Sequence, residues 1–163
     1  MNHNEYGHDF EDGGRNGWEN DTGSLDGILK TEEEGGRKNT FWSGKLEWKS
    51  PYPFMPSLAK IFTFSGGEEE KGSLLTTFKY RVHPPEPGEA TEMTVVVTKD
   101  ISLGWSAAFT LGSQTPTGKW LQSRKITTSY FGGRSHILIG AHFGEVASRK
   151  VDIDDIEVVR VSQ

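Results

Sequence analysis

The run KVDIDDIEVVRV, Lys150 to Val161, sets Asp152, Asp154, Asp155 and Glu157 inside an alternating aliphatic stretch that reads as a strand. Carboxylates are depleted in strands, and burying one is costly unless something pairs with it. These acids therefore face water, hold a cation, or act on a bond. A cation such as Ca²⁺ takes about six to eight oxygens, which separated acids can supply with help from backbone carbonyls. A retaining glycosidase instead needs two carboxyl groups about 5–5.5 Å apart, one as nucleophile and one as acid. Asp152 and Asp154 share one side of a strand, and Glu157 joins them only if a bulge intervenes.

Other residue types that do chemistry are sparse. The five histidines, His3, His8, His83, His136 and His142, form no metal-ligand pair at helical or hairpin spacing. His136 and His142 have the parity opposite Ile137, Ile139 and Ala141, which turns them toward solvent or a groove. The glycines of SGG and FGGRS lack the strand–loop–helix setting of a phosphate loop. EEEGGRK and EEEKG are charge runs of solvated loops. Asn20-Asp21-Thr22 fits a glycosylation sequon, which matters only in a secreting eukaryote.

The elements that must position these residues are short and β-rich. TFWSGKLEWK places Trp42, Leu46 and Trp48 on one side and Ser43, Lys45, Glu47 and Lys49 on the other. LLTTFKYRV turns Leu74, Phe78, Tyr80 and Val82 inward and Lys79 and Arg81 outward. Such alternation marks half-buried strands. LAKIFTFS, EMTVVVTK, WSAAFTL, GKWLQSRKITTSY and SHILIGAHF add others, while SPYPFMPS, with three prolines in eight residues, reads as a loop. About ten strands at regular spacing, and no helical period, predict an all-β antiparallel β-sandwich.

Composition agrees. A chain of 163 residues suits one domain spanning 1–163, with residues 1–7 expected to be flexible. Only 33% of the residues are hydrophobic, yet 5 are Trp and 9 are Phe, so large aromatics must supply much of the core. A net charge of −5 argues against nucleic acid as a partner. The absence of cysteine excludes disulfides and thiolate metal sites. No run of 18 apolar residues exists, so no membrane insertion by a helix is expected. The polar start is not a signal peptide, and extracellular localisation is expected with the signal removed.

Read together, HDFEDGGRNGWEND and GKWLQSRKITTSYFGGRSHILIGAHFGEVASRKVDIDDIEV resemble the jelly-roll carbohydrate-binding modules attached to bacterial glycoside hydrolases. The order of WKSP, LLTTFKYRV, GWSAAF and VDIDDIEV is also similar to the MAM adhesion domain, a family whose cysteines this chain lacks. DIDDIE is close to the catalytic strand of sandwich-fold retaining endoglucanases, with Asp152 where that family has Glu. The first resemblance implies that the last strand lies beside the first, bringing Asp154 or Asp155 near Asp9 and Glu11. Those four acids are the expected ligands of a structural Ca²⁺. The family also implies a polysaccharide or other glycan as partner, and a catalytic domain in the same parent protein.

Sugar-binding sandwiches stack flat aromatics on pyranose faces and hydrogen-bond the hydroxyls. Trp18, Trp48, Phe78, Tyr80 and Phe109 fall on inward parities or at family core positions, and Trp120 matches the family's packing tryptophan. That leaves Phe41, Tyr52, Phe54, Trp105 and Tyr130 as ligand-binding aromatics, with Arg81 and Arg124 as hydrogen-bond donors. Tyr52 and Phe54 serve either as a ligand platform or as a lid over the sandwich end. A non-catalytic binding module, an adhesin-like interaction domain and a small glycanase or lyase each follow from a different use of these residues.

Overall fold

A computed structural model describes residues 9–49, 52, 54–64, 69, 71–99, 106–142 and 147–162. Trp105, Phe143, His3, His8 and the 1–7 segment lie outside the described residues. Among the described residues eleven strands follow in chain order: β1 (Glu19–Asn20), β2 (Ile28–Glu34), β3 (Arg37–Trp48), β4 (Phe54–Thr63), β5 (Lys71–Val82), β6 (Met93–Thr98), β7 (Ser106–Leu111), β8 (Trp120–Gln122), β9 (Ile126–Phe131), β10 (Arg134–His142) and β11 (Ala147–Ser162). They form two antiparallel sheets, one ordered β1-β4-β10-β6-β7 and the other β2-β3-β11-β5-β8, with β9 also on β5. The all-β sandwich expected from the alternation is the fold observed.

The core lies between the sheets, where the inward parities meet. Trp42 and Leu46 of β3, Leu74 and Phe78 of β5, Val95 and Val97 of β6 and Ile137 and Ile139 of β10 are all fully buried. Tyr80 stacks on Phe109 at 3.7 Å between centroids, and Phe78 meets both edge-on. Edge-to-face pairs such as those of Phe78 stabilise beyond the area they bury.

Two sequence expectations are corrected here. The final strand does not lie beside the first: β11 runs between β3 and β5, whereas β1 pairs with β4 in the opposite sheet. A central strand needs partners on both edges, and the 16 residues of β11 are long enough to serve two. The segment around Asp9 and Glu11 is a turn; the Gly13 N–H donates to the Phe10 carbonyl, and Phe10 sits at φ 64° with its ring fully buried.

The proline-rich stretch is also more structured than a loop, because β4 begins at Phe54. Pro56 is tolerated because it stands opposite Gly140 at a register shift, a bulge position where no ladder donor is required. Gly140 is needed there: a Cβ would lie 2.1 Å from the Met55 carbonyl oxygen. Gly140→Ala is expected to cost about 2 kcal/mol by prising β4 from β10, measurable by urea unfolding.

β11 carries a bulge between Asp154 and Glu157, with Asp155 at φ 47°. Before it, Val151 and Ile153 point into the core; after it, Ile156 and Val158 do. The extra residue shifts the parity by one, and without it the second half of the strand would turn its aliphatics outward.

Candidate functional site

The opening acids resolve into different roles. Asp152 and Asp154 face away from the core yet are buried, 0% and 4% exposed. Asp152 stands in a cross-strand row with Arg81 of β5 and Ser43 of β3. Its Oδ2 accepts from Arg81 Nε at 2.8 Å and lies 2.8 Å from Arg81 NH2 and 2.7 Å from His83 Nε2. Arg81 NH1 reaches Glu32 at 3.0 Å, and the guanidinium lies over Phe41 and Trp120 at 4.9 and 4.7 Å from their centroids. Burial alone would lower the Arg81 pKa, but the hydrogen bonds to Glu32 and Asp152 outweigh it and raise it.

This closed stack uses up two of the predicted ligand contacts. Phe41 does point outward, as its parity predicts, but it is 1% exposed. Its ring lies edge-on to Trp120 at 5.4 Å, with the Arg81 guanidinium over both. Arg81 is committed to two carboxylates. Arg81→Ala is expected to cost about 2 kcal/mol in a denaturant titration, less than an isolated buried pair because His83 still reaches Asp152.

Asp154 meets a different environment. With the Asn39 amide nitrogen turned toward the acids, it donates to Asp154 Oδ2 at 2.9 Å and to Glu11 Oε1 at 2.6 Å. The Thr40 N–H also donates to Glu11 Oε1, at 2.8 Å. Burial pushes the Asp154 carboxyl up to about 7; the Asp155 N–H bond opposes that, while the charges of Asp155 and Glu11 add to it. With the amide turned the other way, three oxygens converge, a donor set for a hard cation.

Two of the four expected metal ligands, Glu11 and Asp154, thus meet around Asn39. The other two do not join them. Asp9 accepts the Glu11 N–H within its own turn, and Asp155 forms an exposed ion pair with Lys79 at 3.1 Å. Among the described residues no three His, Asp or Glu side chains gather as a metal-binding set, so a cation here would take two carboxylates, one amide oxygen and other oxygens.

The other sheet offers a cavity. On the outward side of β4, β6 and β10, Phe54, Val96 and Leu138 form a second apolar cluster with Ala59, separate from the core. Register explains it: Leu138 pairs with Ala59 and Thr98, and His142 with Phe54 and Thr94. Over this floor lies a cavity of about 850 Å³ lined by Phe54, Ala59, Leu138, Tyr52, Leu25, Lys49, Asp21, Lys99 and His136, among others. Tyr52 and Leu25 stand exposed at its rim, at 53% and 79%. The Trp48 indole N–H donates to the Tyr52 carbonyl, anchoring that part of the loop. A second cavity of about 590 Å³ lies at the β6–β7 end, lined by Thr94, Thr110, Glu92, Gln114 and neighbours.

Of the predicted ligand-binding residues, Tyr52 and Phe54 are brought together, one as rim and one as floor. Tyr130 is buried at 2%, its ring 4.5 Å from that of Phe64, because it shares the inward parity of Ile126 on β9. Arg124 is exposed just after β8 and does not line the cavity. Trp105 lies outside the described residues. His136 and Leu138, two apart on β10, share its outward face, but their meeting with Leu25 and Lys49 depends on strand order.

No protein-family model matches the chain, and no curated protein matches it in sequence. Among solved structures it is similar to the CBM22-1 xylan-binding domain of Paenibacillus barcinonensis Xyn10C, at 13% identity and a TM-score of 0.53. That match covers 95% of this chain and 92% of the other. It is also similar to CBM28, a carbohydrate-binding module specific for non-crystalline cellulose. There the identity is 15% and the TM-score 0.52, over 93% of this chain and 92% of that one. The fold is that of the carbohydrate-binding-module β-sandwiches. At these identities the likeness is one of fold, and any site rests on this chain's own side chains.

Proposed function

We propose that this chain is a non-catalytic module that binds a polysaccharide in the cavity over β4, β6 and β10. The observation that carries this reading is the cavity itself. Its floor of Phe54, Ala59 and Leu138, with Tyr52 at the rim, offers apolar surface to a sugar ring. Asp21, Lys49, Lys99 and His136 offer donors and acceptors to hydroxyls. A mostly apolar hollow with a few placed polar groups is how small-molecule and sugar sites are built. The second cavity shares this face, and the row Phe54–His142–Thr94–Thr110 runs across the sheet from one to the other. A chain of several sugars laid across the strands would span both.

The glycanase reading has less support. Asp152 and Asp154 are the acids it requires, and both are buried, the first in an ion pair with Arg81 and a hydrogen bond with His83. Secretion, and attachment to a catalytic domain that the module would hold on its substrate, belong to the same proposal.

A structural Ca²⁺ held by Glu11, Asp154 and the Asn39 amide oxygen completes it. The fit rests on the three converging groups and on a buried carboxyl that burial otherwise keeps near neutrality. Bound there, the cation would tie the N-terminal turn to β3 and β11.

Retardation in native gels containing soluble polysaccharides tests the binding reading. Retardation by at least one polymer is expected; equal mobility in xylan, glucans and mannans would overturn it.

A further inference from the structure

The apolar floor of the cavity runs on toward a cationic corner. On β10, Arg134, His136 and Leu138 share the outward face, with Ser135 and Ile137 buried between them. Their partners on β4 are Thr63, Ile61 and Ala59. From Leu138 toward Arg134 the floor therefore continues onto Ile61, which stands opposite His136 and is 46% exposed.

Lys99 approaches the same end of β10 from β6. It follows directly on Thr98, the partner of Leu138, and lines the cavity with His136. Its ammonium donates to the Ser129 hydroxyl at 2.9 Å. Ser129 belongs to β9, the strand that turns into β10 just before Arg134. The ammonium is thus drawn toward the Arg134 end of β10, and its acceptor there is neutral.

Among the described residues no carboxylate neutralises this corner: Lys99, Arg134 and His136 form no ion pair. The rungs they belong to hold Thr63, Ile61 and Ala59 on β4 and Thr98 on β6, none of them acidic. The acids nearest in strand order are Glu19, opposite Ala59, and Asp21, and both lie across β4 from β10. The Asp21 carboxylate also accepts the Thr22 N–H at 2.7 Å. In a chain of net charge −5 the corner is a local reversal of sign.

Arg offers a planar fork that matches a carboxylate, and Lys a point charge with three donors. Imidazole keeps one N–H donor even when neutral. We infer, resting on the cavity as a polysaccharide site, that its polymer is an acidic one whose uronic-acid carboxylate lies at Arg134, Lys99 and His136. The sugar ring lies over Leu138 and Ile61, and Lys99 has two protons left to donate beyond the one on Ser129.

Titration calorimetry with glucuronoxylan, carboxymethylcellulose and alginate, each beside its carboxyl-reduced form, tests this. The acid forms and the protein carry the same sign of net charge, so a preference for an acid form has to be local. At low salt at least one acid form should bind roughly tenfold or more tightly than its reduced form, the scale of one hydrogen bond to a charged group. The ratio should narrow at about 1 M salt, where the screening length falls to about 3 Å. Arg134→Gln should lower the ratio, and Arg134→Gln combined with Lys99→Gln should close it. Arg124→Gln removes the same charge from an exposed position off the cavity and should leave the ratio as it is. Tyr52→Ala should weaken both forms alike. Equal affinity for acid and reduced forms, or a ratio that survives the double substitution, would overturn the inference and leave the cavity reading standing. Binding of neither form of any polymer would overturn both.

Discussion

Stripped of divalent cations, the protein should melt at a higher temperature at pH 5.5 than at pH 8. Asp154 is the cause. Its folded carboxyl titrates at about 7 against 3.8 for the unconstrained group. The native state therefore binds a proton that the unfolded chain does not bind between these values. A raised folded pKa means that the stabilisation is complete below the unfolded value and is lost as pH climbs through 7. Between pH 8 and 5.5 the difference is about 2 kcal/mol, or roughly 4–8 °C for a domain of this size.

Calcium should reverse the trend. The cation requires the ionised carboxylate, so it should raise the melting temperature most at pH 8 and progressively less toward pH 5.5. At about a hundred times its dissociation constant the gain is about 2.7 kcal/mol. Differential scanning calorimetry in EDTA and in Ca²⁺ at both pH values reads all four states. Asp154→Asn should remove both the pH trend and the calcium response, and Glu11→Gln should weaken the latter. If calcium still stabilises Asp154→Asn fully at pH 8, the cation sits elsewhere.

Tyr52→Ala should weaken polysaccharide binding roughly a hundredfold, about 2.7 kcal/mol, the scale of an aromatic hot spot. The side chain is half exposed at the rim, so removing it takes away a ring face without opening the core. The melting temperature should hardly move. Phe54→Ala makes an instructive contrast, because Phe54 is 3% exposed and belongs to the outward apolar cluster. It should lose both stability and binding. Equal affinity of wild type and Tyr52→Ala for a polymer that the wild type binds would move the site away from this cavity.

Much of the fold was written in the alternation. Trp42, Leu46 and Trp48, and Leu74, Phe78, Tyr80 and Val82, were read as inward-facing and are buried. Local periodicity carries that information because side chains two apart share a face. Strand order is not local, and the reading that failed, β11 beside the first strand, concerned order alone. The bulge at Asp155 was legible only as a condition, since Asp154 and Glu157 fall on different parities until an extra residue intervenes.

The site was less legible for the same reason. Phe41 was rightly placed outward, but whether an outward ring is free depends on a neighbour one strand further on, and Arg81 and Trp120 cover it. Tyr130, expected to bind ligand, is buried, and its parity with Ile126 marks it as inward. The cavity joins Leu25, Tyr52 and His136, which are far apart in sequence and adjacent only because β4 lies between β1 and β10. Glu11 was brought toward Asp154 by the wrong route: it arrives through a turn and Asn39 instead of a paired strand.

The central claim is that a polysaccharide lies over β4, β6 and β10. Its most direct test is to map amide chemical shifts by NMR while adding an oligosaccharide of whichever polymer retards the protein. The account predicts shifts at Leu25, Lys49, Tyr52, His136 and Leu138, extending toward Thr94 and Thr110 as the oligosaccharide lengthens. Shifts confined to Arg81, Trp120 and their neighbours on the opposite sheet, with the cavity residues unmoved, would contradict it.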